Sequence, residues 1–525
     1  MDPITNIFLY YGGYVAICAI VYSGVVVLYR LYFSPLAQFP GPRLAAATGL
    51  YEAYFQLVKG GIFTWEINRL HDQYGPIVRI KPGELHIKDP DYYNTLYAGP
   101  GKHRNKDPWF SFIAFPRSIF STEGHALHSA RRRVLGQFFK KNAVLQFEPT
   151  IRANVQLLCR HFATLAGSDQ SLELHTAFQC FASDTMSQYA FGITEGLHYL
   201  DEPVLSDVWK TRITNLFGFC RLNRHIPILS YIAKMFPAIT TLIVPPYGHF
   251  HQFVQDVRRL VRSAIKQHRE SEKANTHTPM TPTAIYPSIL ADRNVPPSEK
   301  ESARLEDDAI FVMMAGTDAP AQCLAITIFH ILNNSSVYQK LQAELRANIL
   351  DAHSVPTLKQ LEALPYLSAT IKEGLRLSSI VTTRLPRIAP DEVLQYREWQ
   401  IPAGIPVSMS TYFILRDPEI FPDPTSFMPE RWMLEPEDLK RLERYLVPAS
   451  KGTLGCLGQN MNVAWMHLVI GTLLRRYTLD LHDTTLENVE MTRDNFIGQT
   501  PIDKNNIYVK VSTEEEFCLT SGNLA

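Results

Sequence analysis

The sequence predicts a mainly helical chain, broken by short strands, behind an N-terminal membrane-spanning helix. Three observations predict it. No charged residue occurs from Pro3 to Tyr29. Apolar residues recur at helical spacing through residues 144–268 and again through 301–334. The clearest strand signature is short: Ile77-Val78-Arg79-Ile80 and Glu84-Leu85-His86-Ile87 flank Lys81-Pro82-Gly83, which reads as a hairpin.

Composition narrows the class. At 525 residues the chain is long enough for about three domains on length alone. Lys+Arg and Asp+Glu both total 51, so there is no basic footprint for nucleic acid. The seven cysteines are scattered and odd in number, without a CxxC pair or zinc spacing. That usage fits a reducing compartment, where one special cysteine can stay unpaired.

Taken in order, residues 1–32 read as a retained anchor. Ile7 to Leu28 is almost wholly apolar, and about 20 such residues span a bilayer. A cleavable signal would have a shorter apolar run, basic residues ahead of it and a small-residue cleavage site. Here Asp2 precedes the run and Arg30 and Arg43 follow it, which places the body of the chain in the cytosol. The alternative is a buried core helix. Residues 33–50, with Ser34-Pro35 and Phe39-Pro40-Gly41-Pro42, read as a stiff proline-rich hinge. Residues 51–525 form the body, with helix and strand alternating over 51–92. No linker after residue 42 separates two cores. The Ser-, Thr-, Pro- and Asn-rich stretch 270–300 reads as an exposed connection. Two glycosylation sequons overlap at Asn333-Asn334-Ser335-Ser336 and stay unmodified in the cytosol. Glu514-Glu515-Glu516 reads as a solvated face.

The stretch Lys451-Gly452-Thr453-Leu454-Gly455-Cys456-Leu457-Gly458 carries the chemistry. One cysteine stands in a glycine-rich loop, before a helix that runs through Asn462–Ile470 toward Arg475-Arg476. Backbone N–H groups and a helix N-terminus at the sulfur favour thiolate over thiol. Such a thiolate suits a soft metal cofactor, with haem iron the main candidate. The alternative is a buried structural cysteine. Upstream, Glu373 and Arg376 lie at i, i+3 on one helical face. Arg431, in Pro429-Glu430-Arg431-Trp432, supplies a second guanidinium, and a Glu between two Arg survives burial when all three are hydrogen-bonded.

With these residues, Ala315-Gly316-Thr317-Asp318 on the long helix, Lys106-Asp107-Pro108-Trp109-Phe110 and the run His125 to Arg133, the chain resembles a cytochrome P450. The likeness is to fungal microsomal members of the trichodiene oxygenase kind and covers nearly everything after the anchor. The resemblance implies a mainly α fold with small β-sheets (α+β), a single domain whose sheets lie near the N-terminal part and the C-terminal end. It implies haem b, with Cys456 as the iron ligand and His128, Arg132 and Arg387 as propionate partners. Asp318 and Thr317 would manage protons at the bound oxygen, and Glu373, Arg376 and Arg431 would support the haem side. It further implies a monooxygenase of lipophilic terpenoid or polyketide intermediates. Its electrons would come from NADPH through cytochrome P450 reductase, with cytochrome b5 as a second donor. It would sit in the endoplasmic reticulum membrane, single-pass, with the catalytic domain cytosolic.

Two positions depart from the family pattern. The cysteine loop has Ala449 seven residues before Cys456, in place of an aromatic, and Leu454 two before, in place of an arginine. Arg132, Arg387 or Lys451 then compensates. On the long helix, Ala319 stands at the usual threonine and Pro320 follows. Proline lacks an N–H and crowds the carbonyl four residues back, that of Gly316. The expectation is an opening that holds a water fed by Asp318 and Thr317. Two other readings stay open: a haem-thiolate enzyme of a non-standard step (dehydration, isomerisation, peroxide-driven), or a haem-binding protein with decayed catalysis. Substrate contacts are expected in loops around Phe110–Phe120, Thr211–Asn223, Ile380–Thr383 and Gly498–Pro501.

Overall fold

The computed structural model describes residues 3–108, 115–274 and 284–513. The expectations for Phe110 through Ala114 and for Glu514-Glu515-Glu516 fall outside these residues. The apolar N-terminal run forms helix α1 (Pro3–Leu28), which continues into a wider turn over Tyr29–Phe33. Tyr11–Phe33 has a mean hydropathy of 1.9 and is not buried by the rest of the chain, so it is long and apolar enough to cross a membrane. Its base is tied to the body. Arg30 Nη1 donates to the Ala47 carbonyl at 2.9 Å. Buried Arg79 donates to the carbonyls of Arg30 (2.8 Å), Leu36 (3.3 Å) and Pro82 (2.7 Å). The proline joint is pinned too, because Arg79 N donates to Pro40 O at 2.7 Å. At Gly41, with φ +154°, a Cβ would lie 2.5 Å from the Arg79 carbonyl oxygen, so the close approach requires glycine.

The helices of seven residues or more that follow are α2 (Phe63–Tyr74), α3 (His125–Gly136), α4 (Lys141–Leu165), α5 (Leu174–Phe191) and α6 (Val208–His225). Then come α7 (Pro227–Met235), α8 (Pro237–Ile243), α9 (Pro245–Lys273), α10 (Ile285–Ala291), α11 (Ser302–Leu332) and α12 (Ser335–Asn348). The last are α13 (Pro365–Ser378), α14 (Pro436–Glu443) and α15 (Gln459–Arg476). The strands are short: β1 (Ile77–Lys81), β2 (Glu84–Ile87), β3 (Asn105–Lys106), β4 (Leu172–Glu173), β5 (Arg387–Ile388) and β6 (Leu394–Tyr396). They continue with β7 (Trp399–Ile401), β8 (Pro406–Ser408), β9 (Tyr477–His482), β10 (Arg493–Asn495), β11 (Ile497–Gln499) and β12 (Tyr508–Thr513). The largest sheet has the order β1-β2-β8-β5-β3, with β1 and β2 forming the expected hairpin in the register Ile77↔Ile87. A three-stranded sheet β4-β12-β9 closes the C-terminal end.

The long apolar-periodic segment becomes α11, which lies among α5, α9 and α13 and is buried along most of its length. One buried apolar cluster runs from Phe115 to Val511, and smaller clusters sit on the first sheet. Two expectations need correction. The stretch 270–300 is not simply an exposed connection: α9 runs to Lys273, and α10 buries Ile285, Tyr286, Ile289 and Leu290. Those four lie on one helical face, a signal that the polar residues before them obscured. Thr211–Asn223 lies on helix α6 instead of a loop.

A buried ionic cluster joins the hinge-side segment to the hairpin. Arg384 donates to Glu84 at 2.6 and 3.0 Å and to Glu52 at 3.0 Å through both terminal nitrogens. Burial alone would raise the two carboxyls, but Arg384 and Lys81 outweigh it and hold both below the usual range. A folded-state pKa below the unfolded value gives stability that is fully present above about pH 4.3 and is lost as pH falls toward the folded pKa. A Glu52→Gln variant is therefore less stable than the parent at neutral pH. The gap in urea midpoint closes as pH drops below about 4.

Candidate active site

The cysteine loop is shaped by backbone before side chains. Lys451 is extended and a tight turn spans Gly452–Leu454. Gly452 has φ +73°, and a Cβ there would strike the carbonyls of Tyr97 and Ala98. Thr453 N donates to Ala98 O at 3.1 Å and Cys456 N to Ala449 O at 2.8 Å. Helix α15 starts directly after, at Gln459. The N–H groups of Gly458 and Gln459 point at the Cys456 sulfur, as the sequence led one to expect. Burial nevertheless pushes the thiol up, and these donors with the Arg132 guanidinium offset it only in part. Cys456 keeps an uncovered surface although protein surrounds it, so that surface faces inward.

Basic side chains converge on this loop. Arg132, from α3, donates from Nη1 to Gly455 O at 2.6 Å. One turn earlier His128 is buried, and its Nδ1 has no hydrogen-bond partner among the described residues. Arg387, on β5, stands 5.0 Å over the Tyr97 ring. Its strand neighbour Lys106 is paired with it in register and donates to the carbonyls of Ile119 (3.0 Å) and Phe120 (2.6 Å). Burial, then Lys106, Arg132 and Arg387, drive His128 down to about 2. Burial, then Arg387 and Arg132, push Lys106 well down. An anion seated among these groups would be favoured. Sequence reasoning gave no charge role to Lys106, because a lysine reads as surface by default. Lys451 does not join the group; its ammonium donates to Arg444 O. Leu454 is half-buried.

Glu373 forms the expected support. Its carboxylate is fully buried and accepts from Arg376 (2.8 and 2.9 Å), Arg431 (3.0 Å), Trp432 Nε1 (2.9 Å) and Met428 N (3.0 Å). Arg376 also binds the carbonyls of Leu415, Pro424 and Ser426.

On α11 the proton-handling candidates are held by side chains of other helices and of α11 itself. Thr317 donates to Met313 O at 2.7 Å and accepts from Trp209 Nε1 at 3.0 Å, which commits its hydroxyl. Asp318 accepts from Gln179 at 2.8 Å and Gln322 at 2.7 Å, with His175 Nε2 at 3.7 Å. Among the described residues no hydrogen bond links Asp318 or Thr317 to the Cys456 group. The helix continues through Pro320, so Gly316 O loses its usual donor.

A family model for cytochrome P450 matches residues 45–505. The chain belongs to the cytochrome P450 family. It is 36% identical to "Cytochrome P450 monooxygenase sdnE" of Sordaria araneosa, over 95% of this chain and 97% of that protein. It is 35% identical to "Cytochrome P450 monooxygenase TRI4" of Trichoderma arundinaceum, over 93% of this chain and 92% of that protein. It is 37% identical to "Tryptophan 6-hydroxylase fscE" of Fusarium equiseti, over 92% and 93% respectively. All three sources are fungi.

This P450 is accordingly a haem-dependent monooxygenase, and its cofactor is haem b. Haem carries two propionates and a Lewis-acidic iron. The site's own atoms fit such a group: an inward-facing sulfur, an orphaned imidazole nitrogen and converging buried cations. When bound, the haem supplies oxygen activation; the chain supplies its seat. P450s take electrons from a redox partner and act on lipophilic molecules.

Proposed function

We propose that this P450 inserts one oxygen atom into a lipophilic terpenoid- or polyketide-derived intermediate of fungal secondary metabolism. Its electrons would come from NADPH through cytochrome P450 reductase, with cytochrome b5 as an auxiliary donor. In this reading Cys456 ligates the iron, and His128, Arg132 and Arg387, joined by Lys106, hold the propionates. Asp318 is the acid on the distal helix, and Thr317 positions it by anchoring the helix to Trp209. The single observation that carries the reading is the gathering of buried basic side chains at the Cys456 loop, where Arg132 donates to Gly455 O at 2.6 Å.

The domain reading follows: residues 1–32 anchor, 33–50 join, 51–525 catalyse. Location in the endoplasmic reticulum membrane, with the body cytosolic, is supported by more than α1. Helices α7 and α8 each open on a proline at the first position and leave Ile228, Tyr231, Met235, Phe236, Leu242 and Ile243 exposed. An apolar patch of that kind suits a lipid surface. Of the three relatives named above only one carries a substrate in its name, tryptophan. The test is full-length protein in microsomes with reductase and NADPH, fed candidate intermediates under labelled dioxygen. The reading requires a carbon monoxide-reduced Soret band of the thiolate type and NADPH-dependent label in a product. A thiolate band without NADPH-dependent incorporation would favour the non-standard chemistries that Ala319 leaves open.

Leu454 gives a second test. Because Arg132, Arg387 and Lys106 already crowd the seat, a Leu454→Arg variant is expected to keep its haem affinity unchanged. A large gain in haem occupancy, read from the pyridine haemochrome, would show that the native cations do not compensate.

A further inference from the structure

Asp318 is buried at 1% exposure, yet no arginine or lysine among the described residues is bonded to it. Two amides satisfy its oxygens without supplying charge. Among the described residues the basic group beside it is His175, whose Nε2 is 3.7 Å from Oδ1. The pairing is built from two helices packed side by side. His175 and Gln179 lie at i, i+4 on α5, and Asp318 and Gln322 at i, i+4 on α11, so each pair shares a face. An arginine here would fix the carboxylate permanently. A histidine is the side chain that most readily takes up and gives back a proton near neutral pH.

The same two groups line a cavity of about 50 Å³, with Thr214, Asn488, Thr500 and Asn505 among its polar walls. At about 10–15 Å³ per water, roughly three waters fit, and the hydroxyl and amide lining gives them partners. Asn505 is exposed, which joins the cavity to bulk solvent. Gln179 reaches both His175 Nε2 (3.4 Å) and Asp318 Oδ1 (2.8 Å) and holds the two in line. The other charges near His175 are already occupied with each other. Glu173 caps α5 through His175 N and Thr176 N, and Lys210 from α6 binds Glu173 at 2.7 Å.

We propose that His175 is the proton entry for Asp318, drawing on water in this cavity, and that it serves a helix lacking a hydroxyl at Ala319. The inference rests on the role of Asp318 given under Proposed function. Monooxygenation takes up two protons with two electrons from the reductase, one oxygen atom going to product and one to water. At rest Nε2 of the neutral His175 ring accepts from Gln179. In each proton step a turn of the ring lets Nε2 take a proton from cavity water. The imidazolium so formed turns back and gives it to Asp318 Oδ1. Asp318 releases one proton toward the oxygen atom that leaves as water, returning to the carboxylate. Bulk water is the net donor, and nothing is oxidised or reduced in the transfer.

The test uses full-length holoenzyme with reductase, without added substrate. His175→Gln removes the carrier, and Thr214→Leu plugs the cavity without touching either titrating group. Both are expected to release a severalfold larger share of NADPH-derived electrons as peroxide and to enlarge the solvent deuterium effect on NADPH oxidation. A readout independent of turnover is the carbon-13 signal of the His175 imidazole, assigned by its loss in His175→Gln. At fixed pH its chemical shift is expected to change in Asp318→Asn. Should His175→Gln fail to fold, Thr214→Leu carries the test of the route and His175→Asn assigns the imidazole signal. An unchanged imidazole signal in Asp318→Asn overturns the pairing. Unchanged peroxide share and deuterium effect in Thr214→Leu overturn the cavity route. A parent protein without the thiolate-type band would instead sink the reading of Cys456, a separate failure.

Discussion

A Cys456→Ser variant folds but shows no thiolate-type Soret band under carbon monoxide and no NADPH-dependent oxygen incorporation. Serine does not ionise at neutral pH, so the N–H groups of Gly458 and Gln459 and the Arg132 guanidinium lose the anion they serve. The fold is spared, because the loop is held by backbone contacts to Ala98 and Ala449 that the substitution leaves alone. Circular dichroism checks the fold and difference spectroscopy the ligand. Retention of both spectrum and turnover would remove Cys456 from the chemistry.

The second large effect is on stability. Glu373→Ala leaves Arg376, which is fully buried, and Arg431, which is nearly so, without their carboxylate. It also strands the Trp432 and Met428 N–H groups. Removing one partner of a buried ionic group costs about 3–5 kcal/mol. The variant is therefore expected to unfold at much lower denaturant and to lose haem with the unfolding. Burial raises the Glu373 carboxyl, but Arg376, Met428 N and Arg431 outweigh it and hold it below the usual range. Glu373→Gln, neutral but still an acceptor, is expected to be milder. Arg376→Lys does not rescue, since one ammonium cannot replace a fork that reaches Glu373 and three carbonyls. Equal stability of Glu373→Ala and the parent in urea would refute the support role.

The sequence made parts of this site legible. Glu373 and Arg376 are three residues apart on one helix, so helical geometry alone places them together. The Pro82-Gly83 turn announced the β1–β2 hairpin, and the uncharged N-terminal run announced α1. Other parts had no local trace. Lys106 looks like any surface lysine until β3 pairs with β5 and brings it beside Arg387. Thr317 read as a proton carrier, but Trp209, from another helix, takes its hydroxyl. His175 and Asp318 stand on different helices, and no spacing rule connects them.

The sequence by itself determined the anchor, the long helix, the cysteine loop and the short-range ion pair. Each of these follows from periodicity, turn chemistry or spacing within a few turns of chain. Only the tertiary structure decided which cations gather at the cysteine, where the Asp318 carboxylate points and which histidine stands beside it. Those are consequences of packing between distant segments, where burial makes an unpaired charge expensive and the choice of partner belongs to the fold.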